Sequence, residues 1–418
     1  MTDEMTTAQG QSPQPTASHA THRRLWLFRM LAIVFGCVVA FVAMEVFVRA
    51  LLASRPNDIE ALRRFNHAKQ TVGELKLIHF VRISDNPRLV YEMLPNIEGT
   101  FHKAPLRTNS AGFADRERSL EKPARTFRIA VIGDSIAFGW GVPPEARYSD
   151  RLEKFLNETA TTSTRYEVLN FGIPGYNTVM EAELLRTRVL RYQPDAILIG
   201  YCADNDTSLP NFVARPRPLY TLTHSYLWEM LRTRSVASAR SALEAGVQYV
   251  DPANVPPEYQ ALVGWDRAAQ AMREIADLAR ERKIPVLFLR DYYYFEPWRT
   301  TPSTLPPDPG ADADALAKQL GFVVISPFQS LLEFLDRHGL HSFALSVDIE
   351  NGDAHPNALR HALLAQEIYR TLVEHKLIPD AAERAQRLNE HMRLWDQWIQ
   401  EALAMARIPE KYRGAASK

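Results

Sequence analysis

A serine, a histidine and an asparagine stand in short polar motifs far apart in this 418-residue chain: Ser135 in Gly133-Asp134-Ser135, Asn205 in Asp204-Asn205-Asp206, and His355 in Asp353-Ala354-His355-Pro356-Asn357. A serine hydroxyl is a weak nucleophile until a neighbouring base takes its proton, and a neutral imidazole is the side chain best suited to do so near pH 7. Together they suit attack of Ser135 on an ester carbonyl, with His355 taking the proton and returning it to the leaving alcohol. The positive end of a helix starting near Ala358 would disfavour imidazolium and keep His355 a base. A carboxylate normally fixes the tautomer of such a histidine. Asp353 is the nearest candidate, Asp348 and Glu350 are others, and a backbone carbonyl is a fourth; spacing alone does not choose among them. Asp134 is expected to hold its loop rather than react. Cys202, with no histidine beside it in sequence, reads as a small buried thiol. Ser110, in Arg107-Thr108-Asn109-Ser110-Ala111-Gly112-Phe113, reads as a turn residue. The twelve histidines form no metal-binding motif, and no glycine-rich phosphate loop is present, so neither metal nor cofactor is expected.

Taken in order, Gly133-Asp134-Ser135, the run from Asn170 to Tyr176, the run from Tyr201 to Asp206, and Asp353 to Asn357 resemble the four blocks of the SGNH hydrolases, the GDSL esterase and lipase superfamily. The letters fall on Ser135, Gly175, Asn205 and His355. The resemblance covers roughly residues 105–376, and the segment from Arg107 to Phe113 resembles the corresponding part of membrane-anchored bacterial members. It implies a Ser135 nucleophile, a His355 base and an oxyanion hole made by the N–H groups of Ser135 and Gly175 with the Asn205 amide. One departure stands out. The family's acid often lies three residues before the histidine, where this chain has Gly352, so Asp353, two before, is the expected replacement, with Asp348 and Glu350 still open. The implied activity is hydrolysis of acyl esters, acetyl esters foremost, with an O-acetylated glycan of the envelope or an exported polysaccharide as a candidate substrate. The alternatives are a polysaccharide O-acyltransferase using the same site and a catalytically silent scaffold. The resemblance also implies a bacterial inner-membrane protein with its catalytic domain in the periplasm.

The elements that must carry these residues read as an α/β fold, a three-layer α/β/α sandwich around a mostly parallel, flavodoxin-like sheet. Near-continuous apolar runs at Phe127–Ile132, Tyr166–Asn170, Ala196–Gly200, Pro285–Leu289 and Phe322–Ile325 predict strands covered on both faces. Helical periods predict helices at Ser149–Asn157, Val179–Tyr192, Glu258–Arg282, Ala313–Leu320, Gln329–Arg337 and Ala358–His375 between and after them. Residues 53–104 read as a stalk or a wrap preceding the domain at 105–376, and residues 207–256 as a lid-like insertion. Phe212, Tyr220, Tyr226, Trp228 and Tyr292 to Phe295 predict an aromatic approach or, equally, core packing. Residues 377–418 read as a helical extension, with Trp395 and Trp398 suiting packing on the domain, a membrane surface or a partner.

Location follows from the first sixty residues. Residues 1–22 are polar and lack any apolar period, which predicts a disordered cytoplasmic tail. Residues 25–52 form an apolar run whose core, Leu31 to Val48, holds a single charge, Glu45. About 20 apolar residues span a bilayer, and no small-residue cleavage motif closes the run, so an uncleaved transmembrane anchor is expected. Arg23, Arg24 and Arg29 precede the core and Arg49, Arg55, Arg63 and Arg64 follow it, a balance that does not fix orientation. With 49 basic and 49 acidic side chains the chain has no excess charge for a nucleic acid, and its 46% hydrophobic content excludes wholesale disorder. Two cysteines, one in the anchor and one in the domain, are expected to remain unpaired.

Overall fold

The computed structural model describes residues 18–54, 74–202, 205–212, 225, 227–228, 259–291, 310–348 and 353–413. Most of the insertion at 207–256 therefore lies outside the described residues, as do Glu350, Gly352, Tyr220, Tyr226 and Tyr292 to Phe295. The chain divides into two compact units, Met1–Arg55 with Arg217–Ser235, and Pro56–Pro216 with Val236–Lys418.

In the first unit a helix runs from Ser18 to Ser54. Its stretch Arg24–Leu51, 28 residues with a mean hydropathy of 2.7, is long and apolar enough to cross a membrane. Glu45 is not left bare on it. Its carboxylate accepts from Arg49 Nε at 2.8 Å, from Ser225 Oγ at 3.0 Å and from Leu227 N at 2.8 Å.

The second unit begins with two antiparallel pairs, β1 (Val81–Ile83) with β2 (Tyr91–Met93) and β3 (Glu98–Phe101) with β4 (Ala104–Arg107). Then come the strands of the main sheet: β5 (Thr126–Gly133), β6 (Arg165–Asn170), β7 (Ala196–Cys202), β8 (Val286–Asp291) and β9 (Val323–Ile325). All pair in parallel in the order β6-β5-β7-β8-β9. By strand sequence this is the doubly wound order 2-1-3-4-5, whose winding reverses around its first strand and opens a crevice at the carboxyl ends there. A last antiparallel pair, β10 (Ser346–Asp348) with β11 (Asp353–Pro356), lies outside the sheet.

Side-chain alternation divides the core in two. Ala130 and Ile132 of β5, Ile197 and Ile199 of β7, and Val286 and Phe288 of β8 face the helices Thr178–Thr187, Trp265–Glu281 and Ala311–Gln319. Ile129, Val131, Leu198, Leu287 and Leu289 face the other way, toward the helices Tyr148–Glu158, Ala358–Glu374 and Leu388–Met405. The result is the expected α/β/α sandwich. The helix expected from Glu258 starts instead at Trp265, after Gly264, whose φ of +89° marks the break.

Residues 74–104 are a wrap rather than a stalk. Phe80, Val81, Leu89, Tyr91, Met93 and Phe101 are all buried in the same core cluster as β5 and β7. At the other end of the chain, the helix Leu388–Met405 packs on the domain. Trp395 is fully buried, its ring stacked on Phe155 at 4.4 Å, and Trp398 meets Phe155 edge-on at 5.4 Å.

Candidate active site

The strand ends carry the serine, glycine and asparagine to one edge. β5 runs into Asp134, which accepts from Ile136 N at 2.8 Å and so caps the short helix Ser135–Phe138 that Ser135 begins. Asp134 is fully buried, and burial, reinforced by Asp291, pushes its carboxyl up to about 7. Its geometry is that of the loop-holding residue expected. After β6, Asn170 folds the loop back by accepting from Gly172 N at 2.9 Å and donating to Ala137 O at 2.8 Å. The loop then reaches Gly175 at φ +77°, where a Cβ would run into the Asn211 amide and lie 2.8 Å from the Tyr91 hydroxyl. That position requires glycine. Among the described residues, the N–H groups of Ser135 and Gly175 donate to no protein acceptor.

After β7, Asn205 is turned toward the same loop, with its amide donating to Tyr176 O at 2.5 Å. This bond stitches the Asn205 and Gly175 loops together, and the Asn205 amide also hydrogen-bonds the Asp134 carboxylate. Asp206, fully buried behind it, accepts from Cys202 N at 2.5 Å and Thr178 Oγ1 at 2.7 Å. Its carboxyl is raised well above the usual range by burial and by Asp134. Cys202 is buried and belongs to no disulfide. Ser110 belongs to a turn, donating both N–H and O–H to Glu117 at 2.7 Å.

The histidine arrives on β11. Residues two apart on a strand point to the same face, so Asp353 and His355 lie side by side. His355 Nδ1 lies 2.7 Å from Asp353 Oδ1, and its backbone N–H donates to the same oxygen at 3.2 Å. With Nδ1–H directed at the carboxylate, Nε2 is left to accept, and Ser135 Oγ lies 2.8 Å from it. Asp348 is engaged elsewhere, with Lys103 Nζ at 3.1 Å.

Burial holds the His355 ring below its ordinary range; Asp353 opposes this, while His102 and Arg360 add to it. Burial would raise Asp353, but hydrogen bonds from His355 and Trp140 hold it below the usual carboxylate value. Both effects favour neutral imidazole beside carboxylate, the state from which a base works. Arg360, buried behind the histidine, forms a close ion pair with Asp291.

Two residues at this site had no sequence signal. Trp140 donates from Nε1 to Asp353 Oδ2 at 3.1 Å and stacks on the His355 ring at 4.6 Å and 11°. His102, at the β3–β4 turn, has Nδ1 3.3 Å from the same Oδ2. Their distance from His355 in sequence hides them. Of the aromatic residues expected around an approach, Phe212 is buried against Tyr91 at 5.1 Å, which is core packing. Trp228 is 64% exposed and belongs to the unit of the apolar helix. No cluster of metal-ligating side chains occurs among the described residues.

Residues 131–363, over half the chain, match the model of the GDSL-like Lipase/Acylhydrolase family. Among solved structures, that of TesA is 18% identical with a TM-score of 0.35, over 60% of this chain and 99% of that one. A catalytic mutant of Axe2, an acetylxylan esterase from Geobacillus stearothermophilus, is 15% identical with a TM-score of 0.38, over 59% and 94%. A two-domain esterase active on acetylated mannans is 16% identical with a TM-score of 0.37, over 60% and 50%. No curated protein sequence matches this chain.

Proposed function

Because the chain belongs to the GDSL-like lipase/acylhydrolase family, we propose that it is a membrane-anchored serine esterase with Ser135 as nucleophile, His355 as base and Asp353 as the acid that orients it. The observation that carries this reading is the unbroken line from Ser135 Oγ to His355 Nε2 at 2.8 Å and from His355 Nδ1 to Asp353 at 2.7 Å.

As Ser135 Oγ bonds to the acyl carbon, its proton passes to Nε2 and the carbonyl electrons move onto oxygen. The uncommitted N–H groups of Ser135 and Gly175 are suited to meet that oxyanion, with the Asn205 amide as the third donor once it turns from Asp134. The tetrahedral species collapses, the carbon–alkoxy bond breaks, and His355 returns the proton to the departing alcohol. Water, deprotonated by His355, then attacks the acyl-serine; the ester bond to Oγ breaks and Ser135 regains its proton. Asp353 stays ionised throughout and steadies the transient imidazolium.

The helix Arg24–Leu51 supports the anchor, and the three donors on Glu45 answer the cost of a bare carboxylate in hydrocarbon. In our reading residues 1–22 lie in the cytoplasm and the catalytic domain in the periplasm of a bacterial inner membrane. A site held there suits acyl esters, acetyl esters first, on envelope or exported polysaccharide.

The test uses the full chain in detergent, with p-nitrophenyl acetate as substrate, with and without a carbohydrate acceptor. Acetate release that collapses in Ser135→Ala, at an unchanged melting temperature, is expected. Full retention of turnover by that variant would overturn the assignment, and acetylated carbohydrate in place of acetate would make the protein a transferase. An alkaline phosphatase fusion after residue 60 should be active; an inactive fusion would put the domain in the cytoplasm.

A further inference from the structure

The Asp353 carboxylate meets more than the histidine it orients. Oδ1 is taken by His355, while Oδ2 faces Trp140 Nε1 at 3.1 Å and His102 Nδ1 at 3.3 Å. The Trp140 indole lies between two imidazoles, stacked on His355 at 4.6 Å and tilted against His102 at 4.5 Å. The Phe101 ring closes on Trp140 edge-on at 4.6 Å.

Independent contacts hold this group in place. His102 and Lys103 form the tip of the β3–β4 hairpin with φ of 47° and 65°. Lys103 ties that tip to Asp348 of β10 at 3.1 Å. Gly141, just after Trp140, is pressed so closely under β10 that a Cβ would lie 2.8 Å from Val347 Cγ1 and 3.5 Å from His102 Cβ. The His102 side chain is nonetheless 41% exposed.

We propose that Trp140 and His102 are positioning residues for the proposed hydrolysis: Trp140 fixes the Asp353 carboxylate and the His355 ring against each other, and the charge on His102 sets how readily His355 accepts a proton. The inference rests on the serine esterase reading. Among the described residues, the reacting and charged groups that bear on the His355 ring include Asp353 on its own strand, Ser135 from the end of β5, His102 from the hairpin tip, and Arg360 and His361 from the helix Ala358–Glu374. Arg360 is neutralised by Asp291 and Lys103 by Asp348. Among them, His102 is the partly exposed member that touches the acid. A cation there repels imidazolium at 355, in keeping with the direction of its effect on that ring.

The test follows the rate at which a fluorophosphonate labels Ser135 in the detergent-solubilised full chain, as a function of pH. In that reaction the Ser135 Oγ–phosphorus bond forms, fluoride leaves and His355 takes the proton, so the probe needs no knowledge of the natural substrate. His102→Gln, which removes the charge, should move the acidic limb of the profile up by about half a pH unit, roughly threefold in rate on that limb. His102→Lys, which makes the charge permanent, should move it down by a similar amount. Trp140→Phe keeps a stacking ring but loses the N–H, and should lower the plateau rate about tenfold. A purely structural role for His102 would not move the limb in opposite directions. One limb shared by the wild type and both folded His102 variants overturns the inference, as does a Trp140→Phe plateau equal to the wild type. Failure of the wild-type chain to label at Ser135 overturns the esterase reading itself.

Discussion

The proposed nucleophile and its proposed base are held by opposite means. Ser135, Gly175 and Asn205 follow β5, β6 and β7, so the buried parallel sheet sets their positions through backbone hydrogen bonds. Asp353 and His355 sit on a two-stranded ribbon outside that sheet, and what steadies them is side chains from distant parts of the chain: Trp140, His102 and Lys103. A site edge that the sheet determines tolerates the loss of a strut. The ribbon edge depends on its struts, so its sensitivity to substitution should spread further from the reacting atoms.

The largest effect beyond loss of Ser135 itself is expected at Asp353. Asp353→Asn should lower kcat by about 10³-fold or more, because an amide presents the wrong partner to Nδ1–H and destabilises the imidazolium. Asp348→Asn, which loses an ion pair to an 85% exposed lysine, should change kcat by at most about threefold. Steady-state rates on p-nitrophenyl acetate decide between them; equal losses would mean that the whole ribbon, and not Asp353, carries the orientation.

On the sheet side, Asn205→Ala should cost about 10²–10³ in kcat with little change in KM, the usual penalty for one missing oxyanion donor. Its amide also ties the Gly175 loop through Tyr176 O. Asn205→Asp likewise removes the donor to Tyr176 O, so the loop tie is lost in both variants and the added negative charge at the oxyanion is what distinguishes them. A loss no greater in Asp than in Ala would remove Asn205 from the oxyanion hole.

The pH dependence probes the ribbon side next. His355 must be neutral to act, and burial, supported by His102 and Arg360, lowers its pKa below the ordinary value of 6.5. Protonation on cooling the pH through that lowered value removes the base, so activity should hold across pH 6.5 and fall below it, about tenfold per further unit. A kcat/KM profile whose acidic limb lies above 6.5 would contradict the burial of the ring.

These two edges also differ in how far the sequence reveals them. β5 to β9 were legible because both faces are buried, which writes each as a continuous apolar run, and Ser135, Gly175 and Asn205 were legible because each follows such a run. The wrap was not legible. β1 to β4 are three or four residues long, and their turns put Val90, Asn96, His102 and Lys103 at positive φ, which no glycine announces. Nor did His102 or Trp140 carry a motif, because each acts through a contact that exists only after folding; Trp140 is 213 residues from its acid. The choice of Asp353 over Asp348 was open in sequence for a related reason. It turns on β11 being extended, and a four-residue strand that ends in a proline and runs into a helix cap has too short a period to read.

The smallest effect tests how far the sheet side can lose support. Tyr91, from β2 of the wrap, donates its buried hydroxyl to Pro174 O at 2.6 Å, and Tyr176 donates its own to Tyr91 O at 2.5 Å. Tyr91→Phe strips a donor from a buried carbonyl next to Gly175, which should cost about 1–3 kcal/mol of stability. The melting temperature should fall by about 2–4 °C or somewhat more. Activity should fall by less than about fivefold, because β6 still sets the loop's approach and the Asn205 amide still holds Tyr176 O. The ratio of the two losses is the measurement that matters. If Tyr91→Phe lowers kcat as far as Trp140→Phe does, the sheet does not by itself position the oxyanion loop, and both edges of the site depend on the residues wrapped around them.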